Sequence, residues 1–349
     1  MSTFSIGRKA FSFGSLIAGI VLIIAGLYLA IAGTGNVLRG AFLVCGVILF
    51  FVGLYFFPTL KHHRAIINFI FLFPLLFAFL VTVIIPLVLG IGYSFTDWNG
   101  IRIKEFVGLD NYLRMFKQTS FLWSILITFL FVVFNMILVN LVAFLLALLC
   151  TSKIAGLGFF RAAYFLPNLI GGIVLGYIWQ FIFSNVVTKF TGTYSMLSDT
   201  KTAFAAIIIV YIWQYAGYIM LIYITGLNTI PGDVLEASAI DGASPMQTLF
   251  SIKLPMIAPT ITICTFLTLT SAFKQFDVNL ALTNGTGSVD FLGKYLTNGT
   301  EMLALNIYST AVINNEYSFG EAKAVLFFII LATVSIIQVR VSNKKEVEL

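Results

Sequence analysis

Long apolar stretches separated by short polar breaks dominate this chain. Stretches at 11–33, 38–58, 65–94, 121–149, 163–185, 203–227, 257–276 and 320–339 are mostly apolar. Each has roughly the 20 residues that a helix needs to cross the hydrocarbon core of a bilayer. The pattern predicts about eight transmembrane helices and an all-α polytopic membrane protein. The third stretch exceeds the bilayer thickness and is expected to tilt or to extend into water. Between the third and fourth, residues 95–120 carry Asp97, Arg102, Lys104, Glu105, Asp110, Arg114 and Lys117. This mixed-charge segment is expected to fold outside, on the membrane surface.

Composition sharpens the reading. Of the 349 residues 60% are hydrophobic and 10% charged, against about a quarter charged in soluble domains. The chain therefore needs lipid as solvent for much of its surface. Its net charge of +6 is scattered at the ends of apolar runs, not gathered into the patch that a nucleic-acid protein presents. The cysteines, Cys45, Cys150 and Cys264, lie inside apolar runs without metal-ligand spacing. His62 and His63 have no third ligand nearby, so no metal site is expected. Arg8 and Lys9 precede the first run in the manner of a signal sequence, but the run is long enough to span, and a retained helix is the better reading.

The basic groups set an orientation. Arg8 and Lys9, then Lys61 to Arg64, then Lys153 and Arg161, then Arg340, Lys344 and Lys345 all fall on one side if the spans alternate. Positive loops remain in the cytoplasm, so both termini are expected there. The first two spans, joined by Thr34, Gly35 and Asn36, contain almost no polar residue. They read as an accessory hairpin, residues 1–64, ahead of a core at 65–340 and a cytoplasmic tail at 341–349.

The stretch 229–256, between the sixth and seventh spans, reads as two short helices. Pro231 suits a first helical turn. Gly242 ends that helix because glycine takes positive φ freely. Ser244, Pro245 and Gln247 form a capping box with proline at the first helical position, and Pro255 is expected to end the second helix. The small residues Ala237, Ser238, Ala239, Gly242 and Ala243, bracketed by Glu236 and Asp241, would let a partner approach the backbone closely.

Polar groups within the spans form a second pattern. Tyr211, Gln214, Tyr215 and Tyr218 share one helical face, as do Thr268, Ser271 and Gln275 on the next span. Intramembrane polar groups tend to line cavities. Aromatic rings suit the apolar faces of sugars, and amides and hydroxyls suit their hydroxyl groups. Lys274 and Asp277 are expected at the outer end of that span, solvated or paired.

The 229–256 stretch resembles the conserved cytoplasmic motif of binding-protein-dependent ABC importer permeases. The matching residues are Glu236, Ala237, Asp241, Gly242, Ala243, Gln247, Ile252, Leu254, Pro255 and Pro259, with mild departures at Ser238 and Leu249. The run from Val107 to Tyr112, Leu166-Pro167 with Trp179, Trp213 with Gly226-Leu227, and Phe276-Asp277 with Leu282-Thr283 are similar to the sugar class of these permeases. The resemblance implies a type I ABC importer permease fold, in which Glu236, Ala237, Ser238, Asp241, Gly242 and Ala243 dock on a cytoplasmic ATPase dimer. It also implies that the polar faces hold the sugar, as they do in related sugar permeases.

The resemblance implies further partners: a second homologous permease, an extracytoplasmic solute-binding protein, and membrane lipid, within a bacterial cell membrane. The chain has no phosphate-binding P-loop, so it is expected to be a pore subunit and not an enzyme. It would hold no cofactor itself, with ATP and Mg bound by the partner ATPase. An ion-coupled secondary transporter is the main alternative; it usually shows repeats, broken helices or buried carboxylates, and the predicted mid-span regions have no Asp or Glu. A membrane glycosyltransferase would need paired carboxylates that the sequence does not show.

Overall fold

A computed structural model describes residues 6–31, 36–57, 63–152, 156–192 and 195–343. The chain divides into two compact units, 1–89 and 90–349. In the first, α1 (Ile6–Ile31) and α2 (Asn36–Tyr55) form an antiparallel hairpin. Ser12, Gly19 and Gly26 recur every seven residues on α1, and Gly46 and Gly53 do so on α2. A seven-residue repeat keeps small residues on one seam, and small residues let helices in lipid approach closely. A Cβ at Gly19 would lie 2.6 Å from the Phe50 backbone nitrogen, and the Ser12 hydroxyl donates to the Gly53 carbonyl at 2.8 Å.

The next helix packs on α2 within this unit. Phe73 of α3 (His63–Phe79) meets Phe51, with ring centroids 5.8 Å apart. A π-helical turn at Leu80–Ile84 continues into α4 (Ile85–Tyr93). Lys61, His62, Lys153, Lys344 and Lys345, and Thr34 and Gly35 of the hairpin turn, lie outside the described residues.

The second unit begins with a feature that the apolar pattern missed. Residues 95–120 hold a β-hairpin, β1 (Thr96–Trp98) with β2 (Ile103–Phe106), followed by α5 (Asp110–Lys117). The long α6 (Thr119–Cys150) comes next. The fifth predicted span, 163–185, is not one helix. It is broken at Ile170 and Gly171, both extended, between α7 (Leu157–Leu169) and α8 (Gly172–Phe181). A π-helical turn at Ile182–Val187 then leads into α9 (Thr188–Thr191), and the membrane-length piece is Gly172–Phe190. The cause is local: adjacent glycines, poor helix formers, follow Pro167, which lacks a backbone donor.

Next come α10 (Thr200–Leu227), α11 (Gly232–Ile240) and α12 (Pro245–Thr248). The latter runs through a π-helical turn at Leu249–Lys253 into α13 (Leu254–Met256). After a 73° bend follows α14 (Ala258–Phe273). The chain then forms α15 (Asp277–Thr283), the hairpin β3 (Val289–Phe291) with β4 (Lys294–Leu296), α16 (Leu303–Tyr308) with a π-helical turn at Ser309–Ile313, and α17 (Tyr317–Asn343). Among the described residues seven helices are long and apolar enough to cross a membrane, or eight if the bent pair Pro245–Met256 with Ala258–Phe273 counts as one span.

The main core packs α6 against α10 and α14. Val139, Ala143 and Ala147 of α6 and Ala206, Ile207, Val210 and Met220 of α10 are all fully buried. A smaller core joins Met115, Phe121, Leu303, Phe319 and Ala322. Arg114 covers it, with one Nη2 donating to both carboxylate oxygens of Glu316 at 2.8 and 2.9 Å.

Candidate functional site

The stretch 229–256 builds a rigid bent element from local rules. After Gly232–Ile240, Gly242 takes φ +77°. Its N–H donates to Ala239 O and the Ala243 N–H to Ser238 O, at 3.2 and 3.0 Å. This is the paired bonding that closes a helix at a left-handed residue. The capping box is also formed: the Ser244 N–H donates to Gln247 Oε1 at 2.7 Å, and the Gln247 N–H to Ser244 Oγ at 3.3 Å. Ser238 is buried, and its hydroxyl donates to Leu235 O at 2.8 Å, so this departure from the usual alanine strands no polar group. Glu236, Ala237, Asp241 and Gly242 are exposed, and Ala243 is half-buried. Ile240 is 86% exposed, with Met246 and Phe250 also open, an apolar surface without a covering within the unit.

Pro255 does not end the second helix. The turn continues to Met256, and the change of direction comes at Ile257, which is buried. Proline lacks only its own backbone donor, and its fixed φ near −65° suits a last helical turn. The element therefore leads by a single bend into α14.

The two polar faces meet along the seam of α10 and α14. Tyr215, Tyr218 and Ser271 come together around a cavity of about 240 Å³, which Thr270 and Lys274 also line. The other predicted members are held inside the chain. Tyr211 is fully buried, donates to Ser271 Oγ at 2.9 Å and stacks on Tyr215, with centroids 4.3 Å apart. Gln214 is buried and reaches Ile170 O at 3.5 Å. Thr268 is buried, donates to Cys264 O at 2.9 Å and accepts from Asn140 Nδ2 at 3.3 Å. Gln275 is buried, and its Nε2 has no partner among the described residues. The spacing that grouped these residues marks a helix face; what packs over each of them decides which is open.

Three contributors were not anticipated. Asn140, one of two asparagines in the apolar run of α6, accepts from Tyr223 Oη at 2.9 Å and so ties α10 to α14 through Thr268. Lys274 lines the cavity and has no ion pair among the described residues. Lys323, inside the α17 span, is fully buried and donates to Asn306 Oδ1 at 2.9 Å and to Thr310 Oγ1 at 2.8 Å. A lysine two positions after Glu321 within an apolar run was the available signal. No group of three potential metal ligands occurs among the described residues.

Comparison with known proteins places this geometry. The family described as "Binding-protein-dependent transport system inner membrane component" matches residues 151–346. The probable starch degradation products transport system permease protein AmyD of Thermoanaerobacterium thermosulfurigenes is 43% identical over 286 residues, covering 80% of this chain and 95% of that one. The multiple sugar-binding transport system permease protein MsmF of Streptococcus mutans is 32% identical, covering 75% and 90%. Among solved structures, a bacterial ABC transporter involved in the import of the acidic polysaccharide alginate contains a chain of the same fold. Its TM-score is 0.69 at 18% identity, covering 81% of this chain and 97% of that one.

Proposed function

This chain belongs to the binding-protein-dependent transport family of inner-membrane components, and on that premise we propose that it forms half of the pore of an ATP-driven importer for sugars or oligosaccharides. The observation that carries the reading is mechanical. The doubly capped element at 232–256 passes by one bend into α14, whose opposite end lines the cavity with Tyr215 and Tyr218. A rigid body docked on a moving ATPase would therefore displace one wall of the sugar cavity. Relatives named for starch degradation products and for multiple sugars support the substrate class, and the open aromatic and hydroxyl groups of the cavity suit it.

In this reading Glu236, Ala237, Ser238, Asp241, Gly242 and Ala243 form the docking surface for a cytoplasmic ATPase dimer, which binds ATP and Mg. A homologous permease completes the pore, and a solute-binding protein delivers the sugar from outside. The break at Ile170–Gly171 and Glu321 within the last span are features that ion-coupled transporters also use, so the energy source is the point to test. Vesicles reconstituted with the partner permease, ATPase and binding protein are expected to take up maltotriose with ATP and not with an ion gradient alone. Gly242→Pro imposes φ near −65° where the chain needs +77°. It is expected to abolish sugar-stimulated ATP hydrolysis while the complex still assembles. Normal transport by that variant would remove the lever from the mechanism.

A further inference from the structure

Below the cavity at Tyr215 lies a second one of about 520 Å³, and the two share a single wall, Tyr218. The sequence explains their alignment. On α10 and just past its end, Tyr211, Tyr215, Tyr218, Ile222, Thr225 and Thr229 follow in steps of four and three residues. On α14, Thr260, Ile263, Leu267, Thr270 and Lys274 follow in steps of three and four. Such stripes keep to one face of a helix. The helices run antiparallel and are registered at two points. Tyr211 bonds Ser271 toward one end, and Thr260 lies on Gly226 toward the other, where an added Cβ would come 2.3 Å from the threonine hydroxyl. Between Tyr215 and Thr229 the shared face runs about 20 Å at the helical rise, a large part of the roughly 30 Å hydrocarbon core.

We propose that these cavities are successive sugar subsites of one groove, with Tyr218 as the partition, and that the second holds the sugar before it leaves toward the cytoplasm. The inference rests on the importer reading above. The second cavity offers a sugar both kinds of hydrogen bond. Thr225 and Thr229 donate to Leu221 O and Gly226 O, at 3.0 and 2.7 Å, which leaves their oxygens as acceptors. Thr260 has no hydrogen bond through its hydroxyl among the described residues and is free to donate. Phe165 supplies a ring. A surface meant only for lipid chains gains nothing from three hydroxyls in a row. A second, weaker site past the partition also lets a bound sugar leave in stages.

The test uses the reconstituted complex with Cys45, Cys150 and Cys264 replaced by alanine and either Thr225→Cys or Thr229→Cys added. A membrane-impermeant thiol reagent is applied from the ATPase side without nucleotide. Both positions are expected to react, and maltotriose at about ten times its Kd is expected to slow the reaction about tenfold, by simple occupancy. Adding Tyr218→Ala is expected to let reagent reach Thr225→Cys from the opposite face. Unreactive positions, or labelling indifferent to maltotriose in vesicles that still take it up, would overturn the second subsite and leave the importer reading standing. Vesicles of the unaltered complex that take up no sugar at all would overturn both.

Discussion

Lys323 shows how much a single buried side chain can decide. Its amine lies 4.5 Å from the centre of the Phe319 ring, whose other neighbour is the Arg114 guanidinium at 4.1 Å. Rings attract cations at such distances. Asn306, which accepts from Lys323, in turn donates to Glu301 at 3.2 Å, so an amide links a buried amine to a buried carboxylate. Lys323→Met keeps the stem but strands the Asn306 carbonyl. The expected loss is about 1–3 kcal/mol, read as a lower melting temperature of the purified complex. An unchanged melting curve would mean that water replaces the amine. Gly217 is the opposite case, a residue whose lack of a side chain matters. A Cβ there would lie 1.8 Å from the Tyr164 carbonyl oxygen, and backbone cannot yield as a side chain can. Gly217→Val is expected to push α7 off α10 and cost about 1–3 kcal/mol or more, again visible in thermal melting.

At the scale of the element, the bent piece at 232–256 gains stiffness from its ends. Its two helices are too short to persist alone in water. They are held by the closure at Gly242 and by the Ser244–Gln247 box. Ser244→Ala removes one reciprocal bond and is expected to cost about 1 kcal/mol locally. Sugar-stimulated ATP hydrolysis is expected to fall while membrane expression is unchanged. Ser244→Asp, an equally good cap, is expected to restore it; failure of that restoration would show that the serine acts through something other than capping.

For the whole molecule, the alternation of eight spans makes a claim about sidedness. Ser152 follows α6, and Asp290 lies in β3, both exposed. Three spans separate them: the Gly172–Phe190 piece, α10 and α14. Single cysteines at these positions, in a cysteine-free background, are expected to react with impermeant reagent from opposite faces, Ser152→Cys from the cytoplasm. Labelling of both from one face would remove a span from the count.

Much of this protein is local and was legible without a structure. The apolar runs impose spanning helices because the bilayer leaves a backbone few alternatives. Gly242 and the Ser244 box declare themselves because each satisfies groups only a few residues away. The break at Ile170–Gly171 had its cause in plain view, yet an apolar window averages over two glycines. The rest depended on neighbours distant in sequence. Periodicity placed Tyr211, Gln214, Tyr215 and Tyr218 on one side of α10, but only tertiary packing, with Ser271 of α14 on Tyr211 and the break at Ile170 on Gln214, decided that these two are sealed while Tyr215 and Tyr218 stay open. Likewise nothing in the order of residues pairs Lys323 with Asn306 and Thr310. A lysine in an apolar run states a cost, and only the tertiary fold brings together the acceptors that meet it.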